Sequence, residues 1–203
     1  MASALAAALF CKGADVNLIA TKFDTDLPLA MHKIDVDSTQ EMLEFVVDSI
    51  RIAKKGKLSK PSLILDKPIE LIQKEPYLFM AAAVSDYLPA FTQSGKLKKE
   101  MLGDAWNIEM KQNIDILKSI DKNGIKVVGF KAEMDVAKAK ENATSMLTCK
   151  GVDAVCLNIL IDDKSFGTDD NSIDFITSKG STVLPKTDKL SLSFEILKNA
   201  KEL

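Results

Sequence analysis

The apolar run from Phe79 to Val84 constrains the fold of this chain more than any other stretch. It lies between Pro76 and Pro89, and it is too short to cross a membrane as a helix. Small apolar side chains between such breakers are typical of a buried strand in a parallel sheet. The run leads to Asp86, so we expect a carboxylate at the carboxyl end of this strand.

A lysine-rich loop follows the predicted strand. Ser94 and Gly95 precede a cluster formed by Lys96, Lys98 and Lys99. A carboxylate at the end of a parallel strand and ammonium groups on a loop together suit an anionic ligand that binds with a divalent cation. Two ordinary interpretations stay open, because aspartate is a common turn residue and lysines on loops are usually solvated.

The predicted elements alternate between helices and strands. Capping and periodicity predict helices at Ala2–Lys12, Ser38–Lys55, Asn113–Lys122, Asp135–Lys150 and Lys189–Ala200. Strands are predicted at Ala14–Ala20, Met31–Val36, Phe79–Asp86, Trp106–Lys111, Lys126–Phe130 and Val152–Leu157, with a hairpin that includes Ser181–Pro185. This order predicts one domain, residues 1–203, with an α/β Rossmann-like layered fold: a mainly parallel central sheet flanked by helices, plus a C-terminal β-hairpin and helix.

Length and composition agree with a single domain and disfavour some classes of partner. The chain has 203 residues, of which 46% are hydrophobic, and its 27 basic and 29 acidic residues give a net charge of −2. This balance disfavours nucleic acid as a partner, and no apolar run reaches the length of a membrane span. Three cysteines without a CxxC pair favour the reducing cytoplasm. The sequence has a single histidine, His32, so it disfavours a histidine-based zinc site and a nucleophile activated by histidine. We assign His32 a structural role.

The chain opens with a helix, whereas a βαβ unit opens with a strand. Gly13 closes this helix and a predicted strand follows, so the first strand of the unit is expected before residue 1. Without that strand, we expect two exposed strand edges in the middle of the sheet.

Six motifs along the chain resemble phosphopantothenoylcysteine synthetase, the nucleotide-activated ligase of coenzyme A biosynthesis. They are AAAVSDYLPA (81–90), KLKK (96–99), NIDIL (113–117), KVVGFKAEM (126–134), CKGVDAVCLN (149–158) and SFGTDDNSIDFIT (165–177). The family has AAVxDYxxA, KIKK, NPDIL and VVGFAAET at the first four. The likeness spans almost the whole chain, and it implies that the first strand and the phosphate-binding loop of the family are missing.

The resemblance also implies a set of site residues. Lys96 would stabilise charge on the departing pyrophosphate and is the catalytic candidate, whereas Asp86 would hold Mg²⁺ or the nucleotide. The other nucleotide contacts implied are the main chain of Met80, Ala81 and Ala82, the turn formed by Ile114, Asp115, Ile116 and Leu117, the ring of Phe130 and the ammonium group of Lys150. Without the resemblance, a phenylalanine after a buried strand is more often a core residue, and NIDIL is typical of an ordinary capped helix.

Two positions depart from the family pattern. Ile114 replaces a proline, which removes preorganisation of the first helical turn but no side-chain hydrogen bond. Met146 stands where the family has the first of two lysines that reach nucleotide phosphates, and Lys150 matches the second. Lys138 or Lys140 could substitute for the missing cation.

The activity implied by the resemblance is the ligation of 4′-phosphopantothenate and L-cysteine, with CTP as co-substrate and Mg²⁺ as cofactor. The reaction would pass through an acyl-cytidylate, in the cytoplasm, and the family forms homodimers whose partner loops help to close the site. A fusion with a flavin-dependent decarboxylase in the full-length protein is left open. We expect weak or no amide formation by residues 1–203, because the asparagine that the family uses for the acyl intermediate lies in the missing segment.

Two other functions stay open. A non-catalytic nucleotide-binding module on the same fold would bind nucleotide without turnover. A nicotinamide-dependent oxidoreductase is less favoured, because the sequence has no GxGxxG fingerprint. The sequence also has no GxxxxGK[ST] loop that would predict nucleotide binding independently of the resemblance.

Overall fold

The computed structural model describes residues 1–24, 26–58, 70–91, 95, 106–160 and 170–203. Within these residues the helices are α1 (Ala2–Cys11), α2 (Thr39–Lys54), α3 (Ile116–Ser119), α4 (Val136–Lys150) and α5 (Lys189–Ala200). The strands are β1 (Asn17–Ala20), β2 (His32–Asp35), β3 (Lys57–Leu58), β4 (Leu71–Ile72), β5 (Tyr77–Met80), β6 (Tyr87–Pro89), β7 (Met110–Gln112), β8 (Lys126–Glu133), β9 (Ala154–Ile159), β10 (Asp170–Asn171), β11 (Asp174–Thr177), β12 (Gly180–Val183) and β13 (Thr187–Asp188). The predicted α/β class is confirmed.

The largest sheet of the described residues has five strands in the order β12-β11-β9-β8-β5. β5, β8 and β9 are parallel, with Met80 opposite Gly129 and Phe130 opposite Cys156. β11 runs antiparallel to β9 and forms a hairpin with β12. The mainly parallel centre and the C-terminal hairpin are therefore as predicted, and the carboxyl ends of β5, β8 and β9 meet at one edge of the sheet.

Helices cover both faces of this sheet. On one face, α1 and α5 pack with the sheet around a cluster of buried residues that includes Leu5, Ala8, Val128, Cys156, Phe175, Leu192 and Ile196. On the other face, α2, α3 and α4 pack around a second cluster that includes Met42, Val46, Ile116, Leu117, Val127, Ala139, Ala143, Val155 and Leu157. Val127 and Val128 belong to different clusters because successive side chains of a strand point to opposite faces.

β1 and β2 form a separate parallel pair in the described part of the chain. His32 Nδ1 lies 2.8 Å from Asn17 Oδ1, so the histidine bridges the two strands at the surface. Ile19 of β1 and Leu78 of β5 pack against the same core cluster. Among the described residues, β1 and β5 each have one edge that pairs with no other strand. The expectation that a further strand precedes residue 1 stays a prediction.

The start of α2 follows the predicted capping box with one change. Ser38 Oγ accepts a hydrogen bond from the N–H of Glu41 at 3.2 Å, as expected for an N-cap serine. Glu41 Oε2 accepts from the N–H of Asp37 at 2.8 Å, whereas a standard capping box would use the N–H of Ser38. The helix is therefore capped reciprocally, and the carboxylate reaches one residue further back.

Periodicity predicts that α2 buries Met42, Leu43, Phe45, Val46, Ile50 and Ile52 on one side, and this prediction is partly wrong. Met42 and Val46 are buried, and Ile50 packs beside them, but Phe45 and Ile52 are exposed. Spacing of 3.6 residues per turn puts Phe45 and Ile52 on the flank of the helix away from Ile50. The core contacts only the other flank, so these two side chains stay in solvent.

Two further expectations concern membranes and cysteines. None of the described helices is both long and apolar enough to span a bilayer. Cys11 and Cys149 are exposed free thiols, and Cys156 is a buried one in the centre of the sheet. Burial raises the pKa of the Cys156 thiol, so this side chain behaves as a small apolar core residue.

Leu157→Ala tests whether β9 lies at the centre of the core. Leu157 is 1% exposed, so we expect a loss of about 2–5 kcal/mol in the free energy of unfolding, from lost burial and the cavity that remains. Urea denaturation followed by circular dichroism measures it. The matched control is Val183→Ala on the edge strand β12, where the side chain is 69% exposed and the expected change is below about 0.5 kcal/mol. Equal costs for the two variants would contradict this assignment of the core.

Candidate functional site

β5 ends earlier than the sequence predicts. It pairs with β8 only from Tyr77 to Met80, and residues 81–85 have no regular structure before Asp86. The prediction that the strand continues to Asp86 is therefore wrong. The reason is non-local, since the chain leaves the sheet to form β6, and the carbonyl of Asp86 accepts a hydrogen bond from the N–H of Asn113 at 2.8 Å.

The side chain of Asn113 ties three separate segments together. Its Nδ2 donates to the carbonyl oxygen of Ser85 at 2.7 Å and to Oγ1 of Thr39, at the start of α2, at 2.9 Å. Its Oδ1 accepts from the N–H of Ile114 at 2.8 Å. The segment that ends β5 and the NIDIL turn are thus fixed next to each other, as the site prediction requires.

The NIDIL turn forms a shorter helix than predicted, with a different cap. Asp115, and not Asn113, is the N-cap of α3, because its Oδ1 accepts from the N–H of Lys118 at 3.2 Å. Ile120 has an extended backbone, so the helix ends at Ser119 after one turn. A single turn aligns few peptide dipoles, so the helix N-terminus adds little to anion binding.

Lys150 contacts the NIDIL turn directly. Its Nζ lies 3.3 Å from Oδ2 of Asp115, and both side chains are partly exposed. The structure thus brings together two site segments that lie far apart in the sequence. Ile116 and Leu117 are buried beneath them, whereas Ile114 is exposed.

Met146 is a packing residue in this structure. A Cβ added to Gly129 would lie 2.5 Å from Cε of Met146, so the methionine covers the backbone of β8 at that point. Leu117 lies on the same side, since one of its methyl groups would be 3.8 Å from that Cβ. The site therefore has a thioether where the family resemblance implies a cation.

The two candidate substitutes for that cation differ in their surroundings. Nζ of Lys140 lies 3.1 Å from Oδ2 of Asp174, a buried residue of β11, so this lysine points to the side of α4 away from Met146. Oδ1 of Asp174 is buried with no hydrogen-bond partner in the described part of the chain. Losing Lys140 would leave that buried carboxylate unpaired, so Lys140 is tied to the fold. Lys138 is exposed and has no ion pair with the described residues.

A polar group at the end of β8 was not identified by the sequence analysis. Nζ of Lys131 lies 3.1 Å from Oε1 of Glu133, and Nδ2 of Asn142 on α4 donates to the same oxygen at 2.9 Å. The Lys131 ammonium and then the Asn142 amide hold the pKa of the Glu133 carboxyl below its ordinary value. Strand alternation could have revealed this group, because Lys131 and Glu133 share the face of β8 that carries Gly129.

Phe130 lies on the other face of the sheet from Met146. It is paired with Cys156 and packs, half-buried, with the cluster beneath α1 and α5. Leu117 belongs to the opposite cluster. A base that stacked on this ring would therefore have to reach round the sheet edge, and the stacking role stays a prediction.

The predicted lysine cluster, with the catalytic candidate Lys96 beside Lys98 and Lys99, lies outside the described residues. The SFGTDDNSIDFIT motif is described from residue 170 onward, where Asp170 and Asn171 form β10 and pair with β13.

The described residues contain no cluster of three or more potential metal ligands among histidine, cysteine, aspartate and glutamate. Asp86 is exposed, and its carboxylate forms no ion pair within the described part of the chain. One free carboxylate, with ligand phosphates and water supplying the other oxygens, fits the way Mg²⁺ usually binds in nucleotide sites.

Sequence comparison identifies the family. The family described as the DNA/pantothenate metabolism flavoprotein C-terminal domain matches residues 1–55 and 63–203. The coenzyme A biosynthesis bifunctional protein CoaBC of Vibrio vulnificus (strain CMCP6) is 31% identical over 207 residues, which cover 100% of this chain and 46% of that protein. CoaBC of Escherichia coli (strain K12) is 27% identical over 190 residues, covering 91% and 41% respectively. The chain spans about half the length of the curated relatives it matches.

Solved structures share the fold. The C-terminal domain of CoaBC aligns with a TM-score of 0.69 at 24% identity, over 98% of this chain and 80% of that one. A mutant of Cab2 in complex with phosphopantothenate-cysteine aligns with a TM-score of 0.55 at 13% identity, over 85% and 52%. At these identities the structures establish the fold, and the family match extends over nearly the whole sequence. The resemblance seen in the motifs is thus confirmed, and the chain belongs to the DNA/pantothenate metabolism flavoprotein C-terminal domain family.

Proposed function

We propose that this chain is the part of a coenzyme A biosynthesis enzyme that ligates 4′-phosphopantothenate to L-cysteine, with CTP as the activating nucleotide. One observation carries the proposal: Asn113 and the Lys150–Asp115 pair join three segments that are expected to contact nucleotide. The relatives support it, since CoaBC is named for coenzyme A biosynthesis and one Cab2 structure contains phosphopantothenate-cysteine.

The first step of the proposed reaction activates a carboxylate. An oxygen of the 4′-phosphopantothenate carboxylate forms a bond to the α-phosphorus of CTP. The bond from that phosphorus to the oxygen that bridges to the β-phosphate breaks, and pyrophosphate leaves with the electron pair. Negative charge grows on the departing oxygens, so cations around the triphosphate lower the barrier.

The second step forms the amide. The amino nitrogen of L-cysteine attacks the carbonyl carbon of the acyl-cytidylate, and the bond from that carbon to the phosphate oxygen breaks. CMP leaves, and the nitrogen loses a proton. Phosphopantothenoylcysteine is the product, and no oxidant or reductant is consumed.

Residues of this chain have distinct roles in the proposal. Lys96 neutralises charge on the leaving pyrophosphate, and Lys150 binds a phosphate once that anion takes the place of Asp115 as its partner. The main chain of residues 80–82 contacts the base, since the small side chains of Ala81 and Ala82 allow close approach. Asp86 would hold Mg²⁺, which supplies Lewis-acid neutralisation of the phosphate oxygens when bound.

The proposal extends to the setting of the enzyme. We include a homodimer as the working unit, a cytoplasmic location and, in a longer polypeptide, a flavin-dependent decarboxylase domain. The bifunctional name of CoaBC supports the last of these. The first two rest on the resemblance of the sequence to the family.

Calorimetric titration with CTP and Mg²⁺, beside ATP and Mg²⁺, tests the nucleotide site. We expect CTP to bind more tightly than ATP, and Lys150→Gln or Lys96→Gln to weaken CTP about tenfold or more, because each removes a charge-assisted contact to phosphate. Lys198→Gln is the matched control, because Lys198 also lies in the last turn of a helix but on α5, away from the site. Its CTP affinity should equal that of the unmodified chain. No CTP binding by a chain shown to be folded, or equal weakening by all three variants, would contradict the proposed function.

Asn113→Asp tests the tie between the site segments. The change keeps the shape but removes both N–H donors and sets a carboxylate against the carbonyl oxygen of Ser85. We expect a loss of about 1–3 kcal/mol in the free energy of unfolding, measured in urea at neutral pH and fixed protein concentration. Gln112→Glu is the control, because it makes the same chemical change at an exposed neighbour and should cost below about 0.5 kcal/mol. If Asn113→Asp lowered the free energy of unfolding no more than the control does, the hydrogen bonds from Asn113 to Ser85 and Thr39 would not stabilise the fold.

A further inference from the structure

Lys131 lies near the carboxyl end of β8, in a part of that strand that extends beyond β5. The pairing of β5 with β8 stops at Met80 and Gly129, whereas β8 continues beside β9 as far as Glu133. Beyond Gly129, the edge of β8 that faces β5 therefore pairs with no other strand among the described residues. Ligands of open α/β sheets bind outside the carboxyl ends of the parallel strands, so Lys131 stands where a ligand is expected.

The ammonium group of Lys131 also lies close to the part of α4 that carries Met146. Lys131 shares the face of β8 that carries Gly129, and Met146 covers the backbone at Gly129. Asn142 precedes Met146 by about one helical turn. Nδ2 of Asn142 and Nζ of Lys131 both contact Oε1 of Glu133, at 2.9 and 3.1 Å. The ammonium group therefore lies beside the turn of α4 that leads to Met146.

Lys131 can leave Glu133 without leaving that carboxylate unpaired. Oε1 of Glu133 keeps the amide of Asn142 as a hydrogen-bond donor. The side chains of Lys131 and Glu133 are 31% and 18% exposed, so water reaches both groups. Lys140 differs, because its departure would leave the buried carboxylate of Asp174 without a partner. An anion can therefore recruit Lys131 at a smaller cost than Lys140.

The sequence around Lys131 departs from the family pattern in the opposite sense to Met146. In KVVGFKAEM, Lys131 stands where the pattern VVGFAAET has alanine, and Glu133 matches the glutamate of that pattern. Met146 stands where the family has a lysine. One positive charge is thus absent from α4, and one is present on the strand that α4 covers. The two changes together leave the number of positive charges in this region the same.

We propose that Lys131 binds a phosphate of the nucleotide, in place of the cation that is missing at Met146. The phosphate takes the place of Glu133 as the ion-pair partner of the ammonium group, and no covalent bond changes. A charge-assisted hydrogen bond to phosphate is among the stronger polar contacts that a lysine can form. This inference rests on the proposed function, and it assigns the second cation of the nucleotide site to β8 and not to Lys138 or Lys140.

Moving the positive charge tests the assignment by calorimetric titration with CTP and Mg²⁺. We expect Lys131→Ala to weaken CTP binding about tenfold or more, because it removes a charge-assisted contact to phosphate. Lys131→Arg keeps the charge and should retain most of the affinity. The double variant Lys131→Ala/Met146→Lys returns the cation to α4 and should regain most of the affinity that Lys131→Ala loses.

Lys126→Ala is the matched control. Lys126 lies at the amino end of the same strand, and its Nζ is 3.7 Å from Oδ1 of Asp153. Its side chain is 25% exposed, close to the value for Lys131, but it lies at the opposite edge of the sheet from the proposed phosphate. The CTP affinity of Lys126→Ala should equal that of the unmodified chain. Circular dichroism checks that every variant is folded.

The outcomes separate this inference from the proposed function. If the unmodified chain binds CTP and Lys131→Ala binds it equally well, or if Lys131→Ala and Lys126→Ala weaken it equally, the assignment of Lys131 is overturned and the proposed function stands. Inorganic triphosphate is the second probe. Binding of triphosphate that depends on Lys131, without binding of CTP, would support the phosphate contact and count against the proposed function. Binding of neither by the folded chain would overturn both.

Discussion

The parallel pairing of β5, β8 and β9 is the constraint on which the rest of the structure depends. Parallel strands direct their carboxyl ends to one edge, where the segment to Asp86 leaves β5 and the Lys131–Glu133 pair ends β8. α3 and α4 pack on one face of the same strands, and Asp115 and Lys150 form their ion pair on that face. The register of these three strands therefore sets where the segments of the candidate site lie.

Carboxylates already neutralise three lysines in or near the candidate site. Lys150 pairs with Asp115, Lys131 with Glu133, and Lys140 with Asp174. An anion that binds to one of these three lysines must therefore exchange places with its carboxylate. Breaking the partly exposed Lys150–Asp115 pair costs little free energy, because water screens the attraction between the two charges. Lys140 is the least available, since its departure would leave the buried carboxylate of Asp174 without a partner.

Local sequence signals were enough to predict some elements, and non-local contacts decided the others. α5 runs from Lys189 to Ala200 as predicted, because its start depends on Asp188, whose carboxylate accepts two nearby N–H groups. The prediction that Asn113 caps α3 was wrong, because the side-chain amide of Asn113 donates hydrogen bonds to Ser85 and Thr39. These two residues lie 28 and 74 positions away in the sequence. No periodicity reveals such partners, nor the pairing of Lys140 with Asp174. The structure joins three of the segments that the motifs mark, while the roles of all the site residues, Lys96 and Phe130 among them, stay predictions.

Hydrogen–deuterium exchange with and without CTP and Mg²⁺ tests most directly the central claim, that the end of β5, the NIDIL turn and the end of α4 form one nucleotide site. The account predicts slower exchange in residues 81–86, 113–117 and 146–150 together when nucleotide is present. The β11–β12 hairpin, on the far side of the sheet from β5, should exchange at an unchanged rate. Protection of the hairpin alone, or of just one of the three segments, would contradict a single site.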